Sequence, residues 1–377
     1  MNTDRKYDIA IVGGGLAGLS LSILMARKGL KVCLFEKEEY PFHKVCGEYI
    51  SMESRDFLTG LGLPLTDWEL PEIHQLYITA PNGESIIETL PLGGFGISRY
   101  KLDAAMAGIS KSAGVALFEN TKVHDILFED GVHIIESSAG QFTASIACAC
   151  FGKKSNLDVK WKRQFINRKR MQNFVGVKYH VKADLPEDQI ALHNFTGGYC
   201  GISKIEDGRY CLCYLTKSEN LKNNRQSIPA VEEKILKKNP ALRKLLDEVT
   251  ILYAEPVTIS QISFAKKTQI ENHVLCIGDA AGMITPLCGN GMSMALHGSK
   301  MAAASIEGFF KNQLTREAME MDYQENWNRQ FAQRLKTGRF IQRFFGNSFR
   351  TGLLLKILKP FPILIRALIR QTHGEKF

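Results

Sequence analysis

The sequence predicts a mixed α/β (α+β) fold in two parts, followed by a helical C-terminal segment. Three observations predict it. The chain opens on a β-branched apolar run, a triple glycine and a helical apolar pattern, the order of a β–α–β unit. Residues 171–260 hold β-branched and aromatic stretches separated by turn signals, as antiparallel strands do. Residues 326–377 interleave short apolar runs with Lys and Arg, the pattern of helices lying on a surface.

Length and composition set the frame. A chain of 377 residues suggests roughly two domains. With 45% hydrophobic and 23% charged residues it is globular, not disordered. The opening MNTDRKYDIAIVGGG mixes acids and bases with no apolar h-region, so no signal peptide is expected. The nine cysteines form no C-x-x-C, and there is no H-E-x-x-H, so no metal is expected. Cys148 with Cys150, and Cys211 with Cys213, sit two apart in apolar runs, one face of a strand each, which suits buried, reduced thiols in a cytoplasmic protein. The net charge of +9 resides in residues 326–377, which hold eleven Lys or Arg against Glu375 alone. The remainder is close to neutral, and nucleic acid is not expected as a partner.

The first element is a strand at 7–12, YDIAIV. Gly13-Gly14-Gly15-Leu16-Ala17-Gly18 then fits G-x-G-x-x-G, a helical pattern runs over 16–28, and a second strand, KVCLF, covers 31–35 with Glu36 at its end. Together these form a Rossmann-like dinucleotide-binding unit. Gly13 allows the tight turn, Gly15 lets backbone approach a pyrophosphate, and Gly18 lets helix and strand pack closely. The amides of Leu16, Ala17 and Gly18 at the helix start hold phosphate. Glu36, with Lys37 beside it, receives the ribose hydroxyls. This unit suits NAD or FAD equally.

The distal half separates the two. HVLCIG (273–278) is another short strand, running through Gly278-Asp279-Ala280-Ala281-Gly282 and Pro286-Leu287-Cys288-Gly289-Asn290-Gly291 into an apolar helix from Met292 to Phe310. IGDAAGMITPLCGNGMSMAL resembles the second FAD signature of aromatic-hydroxylase-type flavoprotein monooxygenases and of geranylgeranyl reductases. The resemblance covers roughly residues 5–310. It implies an FAD domain of glutathione-reductase type with Asp279 on the ribityl chain and Pro286, Gly289, Asn290, Gly291 and Met292 at the flavin. A helix start there suits an anionic reduced ring. SRYKLD (98–103) resembles the family's Arg…Asp motif, with Arg99 near FAD. Residues 121–147 look like its β-meander, with Val123 at the cofactor. CACFGKKSNLD (148–158) stands where Asp-Gly-x-x-Ser is usual. Phe151 replaces the aspartate, which places NAD(P)H as electron donor in question and leaves a partner reductase as the other source.

In the reductase branch the segment after the ribose-binding acid resembles P-x-x-[FY]-x-x-x-x-C-G-G. Here Pro41, Lys44, Cys46 and Gly47 keep its order, with Glu48 at the second glycine. The resemblance implies that Cys46 lines the flavin site, as a proton donor to a reduced alkene carbon or as pocket wall, with Lys44 favouring its thiolate. Glu48 reads as an acid or as a solvated surface glutamate. GGYCGISKIEDG (197–208) resembles the reductases' Gly-Tyr-x-Trp-x-Phe-Pro stretch but lacks its Trp and Pro. The W-x-W-x-I-P motif of related halogenases is absent.

The expected domains are FAD-binding at 1–60, 98–170 and 261–325, substrate-binding at 61–97 and 171–260, and a basic, apolar helical segment at 326–377. The basic run Lys153–Arg170 reads as a solvated loop, or as an electrostatic guide for NADPH or a phosphorylated substrate. No apolar stretch reaches the length of a membrane span. The C-terminal segment is expected either to cap the substrate domain or to lie peripherally on the inner membrane surface. Three functions remain: an FAD-dependent reductase or dehydrogenase of a small apolar or lipid-like unsaturated substrate; a monooxygenase hydroxylating an aromatic or polyketide; and a non-catalytic flavin-binding redox partner.

Overall fold

The computed structural model describes residues 5–166, 174–285, 289–372 and 374–377. Pro286, Leu287, Cys288 and the end of the 153–170 basic run lie outside them. Two sheets organise the chain. The first runs in the order Ile270–Glu271, Val274–Cys276, Gly140–Ala149, Lys6–Val12, Val32–Phe35 and Ala116–Phe118. Its centre is parallel: Lys6–Val12 pairs with both Val32–Phe35 and Gly140–Ala149. The expected meander is present, Val123–Glu129 and Val132–Ser137 folding antiparallel into Gly140–Ala149.

The parallel strands are buried along nearly their whole length, which is why they read as continuous apolar runs. Helix Leu16–Ala26 follows the first strand and is buried on almost every side. It packs between helices Arg99–Ser112 and Gly291–Phe310, and small hydroxyls allow that approach. Ser22 Oγ lies 2.9 Å from Ser110 Oγ, and Ser20 Oγ lies 2.6 Å from Ser299 Oγ. Helix Arg316–Gln342 closes this layer, with Trp327 buried and the Tyr323 hydroxyl donating to the Cys276 carbonyl (2.8 Å).

The second sheet has nine strands, in the order Thr250–Ile251, Phe174–Lys182, Tyr210–Lys217, Gly198–Lys204, Gln189–Phe195, Glu72–Thr79, Ser85–Gly96 and Tyr49–Ser51, with Val257–Ile262 also on Phe174–Lys182. It is antiparallel except where Gln189–Phe195 runs parallel to Glu72–Thr79. Its short strand Tyr49–Ser51 comes directly after the cysteine segment, so the Cys46 turn sits between the two sheets. Pro360 and Pro362 divide the C-terminal segment into helices Ser348–Leu358 and Pro362–Thr372. Leu355, Ile365 and Ile369 from these helices join Ile73, Ala80, Ile86 and Leu90 in one apolar cluster, so one helix face caps the second sheet.

Candidate functional site

Gly13 has φ +107°, and a Cβ there would stand 2.5 Å from the Cys150 carbonyl oxygen. A Cβ on Gly18 would stand 2.0 Å from the Gly13 oxygen. Both glycines are therefore sterically required, as the motif implies. Gly15 differs: only Arg99 Nη2 comes near its Cβ direction, at 3.7 Å, so that side of the turn is open. Glu36 is buried and accepts from the amides of Gly14 (2.9 Å), Lys37 (2.8 Å) and Glu38 (3.2 Å). A carboxylate has about four acceptor positions, so capacity for ribose remains. Lys37 contributes its amide, while its exposed ammonium pairs with Glu38. Val123 is half-buried at the start of its strand, near the Thr121 amide that donates to the Glu36 carbonyl (2.8 Å).

The second signature lies beside the first. Gly278 has φ +66°, and its missing Cβ faces Ala17 (3.2 Å) and Ala295 (3.3 Å), so both signature helices pack against it. Gly289, also at φ +66°, lies against the Tyr49 ring, and the helix then starts at Gly291. Asp279 is half-buried and its carboxylate makes no hydrogen bond among the described residues. Asn290 Oδ1 is buried without a partner among the described residues, although its Nδ2 donates to the Thr372 carbonyl (2.7 Å).

These details test the fit of FAD. Helices 16–26 and 291–310 both start without a side-chain cap and without an acid in the first turn. A helix start leaves amide donors unsatisfied and carries partial positive charge. Two such starts, a free carboxylate at Asp279 and an orphaned Asn290 oxygen suit a diphosphate with a flavin ring beyond it, and the residues present fit the group.

Charged side chains line the space between. Arg99 holds Asp103 with two hydrogen bonds, Nε–Oδ1 at 2.7 Å and Nη2–Oδ2 at 2.8 Å. Lys44 Nζ lies 3.0 Å from Asp103 Oδ2 and 3.2 Å from the Gly14 carbonyl. Burial opposes ionisation of Asp103, but Arg99 and Lys44 outweigh it and hold its carboxyl below the ordinary range. Lys44 is thus engaged away from the thiol, and the expected support of a Cys46 thiolate by Lys44 is not what the geometry provides. Cys46 is half-buried, with Sγ 3.5 Å from Met292 Sδ, so the thiol lies at the start of the second signature helix. Gly47 beside it is exposed and open.

Glu48 is the residue that sequence reasoning placed least well. It is fully buried, not solvated, and sits at φ +56°, where a side chain is strained and glycine is natural. Its Oε1 accepts from the Arg99 amide (2.8 Å) and from the Lys178 ammonium. Its Oε2 accepts from His180 Nε2 (2.6 Å), whose Nδ1 meets the Tyr253 hydroxyl at 2.9 Å. Burial pushes its pKa upward, but His180 and Lys178 overrule it and hold the carboxyl low. Lys178 and His180 stand two apart in FVGVKYHVK, so they share a strand face. That pair of titratable residues in a buried strand was the available signal. His180, Glu48 and Cys211 also present ligand-type atoms within 4.8 Å of one another. The cation on this carboxylate is the Lys178 ammonium.

A cavity of about 650 Å³ opens between the second sheet and the segment that ends helix 316–342. Phe174, Tyr199, Leu215 and Phe264 give it apolar lining, and Lys217, Arg339, Arg343 and Arg350 also line it. Met283, shortly before the Gly289 turn, packs with Phe174, Tyr199 and Leu215. The GGYC stretch, singled out by sequence, contributes Gly197, Gly198 and Tyr199 to this cavity.

Comparison with known proteins agrees with this geometry. Residues 6–306 match the family described as FAD binding domain. Conditioned medium factor receptor 1 of Dictyostelium discoideum is 25% identical, over 98% of this chain and 75% of its own length. Digeranylgeranylglycerophospholipid reductase 2 of Methanopyrus kandleri is 24% identical, over 88% of this chain and 84% of its own. Among solved structures, the flavin-dependent brominase Bmp2 superposes with a TM-score of 0.80 at 18% identity, covering 97% of this chain and 93% of that one, a likeness of fold.

Proposed function

The chain belongs to the FAD-binding domain family, and from that premise we propose that it is an oxidoreductase reducing or dehydrogenating an unsaturated, apolar substrate of prenyl or lipid type. The observation that carries this reading is the cavity of about 650 Å³, lined in part by Phe174, Tyr199, Leu215 and Phe264, of which Phe174, Tyr199 and Leu215 share an apolar cluster with Met283. Its apolar lining suits a hydrocarbon chain. A relative named as a digeranylgeranylglycerophospholipid reductase, 24% identical over most of both chains, points the same way.

Bound FAD supplies two-electron chemistry that no side chain offers. The protein's own contribution is placement. The amides at the start of helix 16–26 would hold the diphosphate, and those at the start of helix 291–310 would face the pyrimidine edge of the flavin. The Arg99–Asp103–Lys44 set holds positive charge beside the Gly14 turn. The Glu48 cluster ties the Cys46 turn to the second sheet through Lys178 and His180, which keeps Cys46 against Met292. In this reading Cys46, beside Met292, would give the proton to the alkene carbon that does not receive the hydride.

One observation favours a rival reading, oxygen-dependent hydroxylation. Arg339, Arg343 and Arg350, which line the cavity, suit the carboxylate of an aromatic acid. Product mass separates the two. The purified protein, supplied with a reductant and unsaturated prenyl lipids, is expected to give products heavier by pairs of hydrogens. Products heavier by one oxygen would support the hydroxylase instead.

A further inference from the structure

The C-terminal helices cap the second sheet with one face and leave the other uncovered. Helix Ser348–Leu358 buries Thr351, Gly352 and Leu355 and exposes Phe349, Leu353 and Ile357 at i, i+4 and i+8, a continuous stripe along its outer side. The next helix repeats the arrangement: Ile365, Ile369 and Thr372 face inward, while Ile363 and Leu364, with Phe361 just before them, face outward. Phe349 is 77% exposed and Ile363 80%. Of the large apolar side chains left exposed among the described residues, Phe340, Phe349, Leu353, Ile357, Phe361, Ile363 and Leu364 fall in this one stretch, and those elsewhere are scattered along the chain. Isolated exposed apolar residues are ordinary, but a concentration of them marks a contact surface.

Charge identifies the partner. Residues 340–372 contain Arg343, Arg350, Lys356, Lys359, Arg366 and Arg370 and no acid. All six are exposed, and among the described residues Arg366 alone has an ion-pair partner, Glu88 at 3.3 Å. Apolar side chains within a band of unpaired cations complement an anionic lipid surface, whose acyl region receives the first and whose headgroups receive the second. A second copy of this chain would bring a second positive surface to the same place and meets repulsion. No helix of the described residues is long and apolar enough to cross a membrane, so the contact is with the surface.

We propose that helices 348–358 and 362–372 form a platform that docks the protein on the face of an anionic bilayer. The platform adjoins the cavity: Arg343, Phe345, Gly346, Asn347 and Arg350 line it, and the chain passes from them directly into the helix that carries the exposed stripe. Docking therefore brings the cavity close to the bilayer, whose acyl region would hold an apolar substrate. The inference concerns binding and stands whichever reaction the flavin performs.

The test is co-sedimentation of the full-length protein, with its FAD, with vesicles of phosphatidylcholine alone or mixed with phosphatidylglycerol. The protein is expected to pellet with the mixed vesicles, far less with phosphatidylcholine alone, and less as salt is raised. Phe349→Ser with Ile363→Ser is expected to weaken binding at least tenfold, and Lys356→Glu with Lys359→Glu to abolish the preference for anionic lipid. These side chains are exposed, so flavin content and melting temperature should stay as in the parent, which separates lost docking from lost folding. Failure of the parent to pellet with anionic vesicles would overturn the proposal. So would unchanged binding by the Ser variant, or lipid-free self-association that the same substitution removes, the mark of a second copy as occupant.

Discussion

Glu48 and His180 lie 132 residues apart in the chain and meet at 2.6 Å, both side chains fully buried. With the Lys178 ammonium on the other carboxylate oxygen, the contact joins the Cys46 turn to the second sheet. A buried charge that loses its partner is expensive, on the order of 3–5 kcal/mol. Glu48→Gln keeps the shape and removes the charge, leaving Lys178 uncompensated. We expect a loss of stability of about that size in urea unfolding. Glu48→Gly, which relieves the backbone strain at φ +56°, should not recover it.

The same carboxylate makes a prediction about pH. Its folded pKa lies below its ordinary value of 4.5, so its contribution is fully present above that pH. The contribution is lost as pH falls from 4.5 through the lower folded value. Stability measured against pH should therefore fall less steeply in acid for Glu48→Gln than for the parent. Parallel curves would mean that Glu48 is not held ionised by folding.

Gly18→Ala would put a methyl group 2.0 Å from the Gly13 carbonyl oxygen. The helix start must then move from the strand, at a cost of about 1–3 kcal/mol. The amides meant for the diphosphate move with it. The variant should purify with markedly less FAD, read as the ratio of visible to ultraviolet absorbance, while Gly47→Ala, which has open space, should keep its flavin.

Cys46 should be selectively reactive. Most described cysteines are buried, and burial raises the thiol of the other half-buried one, Cys213, to about 12. Iodoacetamide attacks thiolate, so burial protects. Peptide mapping should find Cys46 as the principal modified site among the described cysteines once FAD is removed. Added FAD should protect it if, as proposed, the flavin lies beside Met292, which the Cys46 thiol touches. Equal labelling with and without FAD would place the thiol away from the flavin.

Gly346 bounds the cavity. It has φ +78°, its carbonyl accepts from the Gly197 amide (2.8 Å), and a Cβ there would stand 3.1 Å from the Gly198 nitrogen. Gly346→Ala should displace the cavity wall and weaken binding of a fluorescent polyene fatty acid several-fold, with flavin content unchanged.

Much of this was legible because the motifs bind backbone to ligand. The glycines at 13, 15 and 18 and the acid at 36 act through local geometry, so their spacing alone announces them. The apolar central strands and the meander were legible by period. What was not legible depends on contacts between distant segments. Glu48 reads as an ordinary polar residue until His180 and Lys178 arrive from the distant strand Phe174–Lys182. By sequence Lys44 is available to Cys46, but Asp103, on a helix, claims it. The cavity draws its walls from residues 174, 199, 215, 264 and 339–350, which no local pattern links.

The most direct test of the central claim is turnover without oxygen. The FAD-loaded protein is reduced anaerobically, the excess reductant is removed, and an unsaturated prenyl lipid is added while the flavin absorbance is followed. We predict return of the oxidised flavin spectrum in step with saturation of the lipid's double bonds. A flavin that stays reduced until air is admitted, and then yields an oxygenated product, would contradict the account.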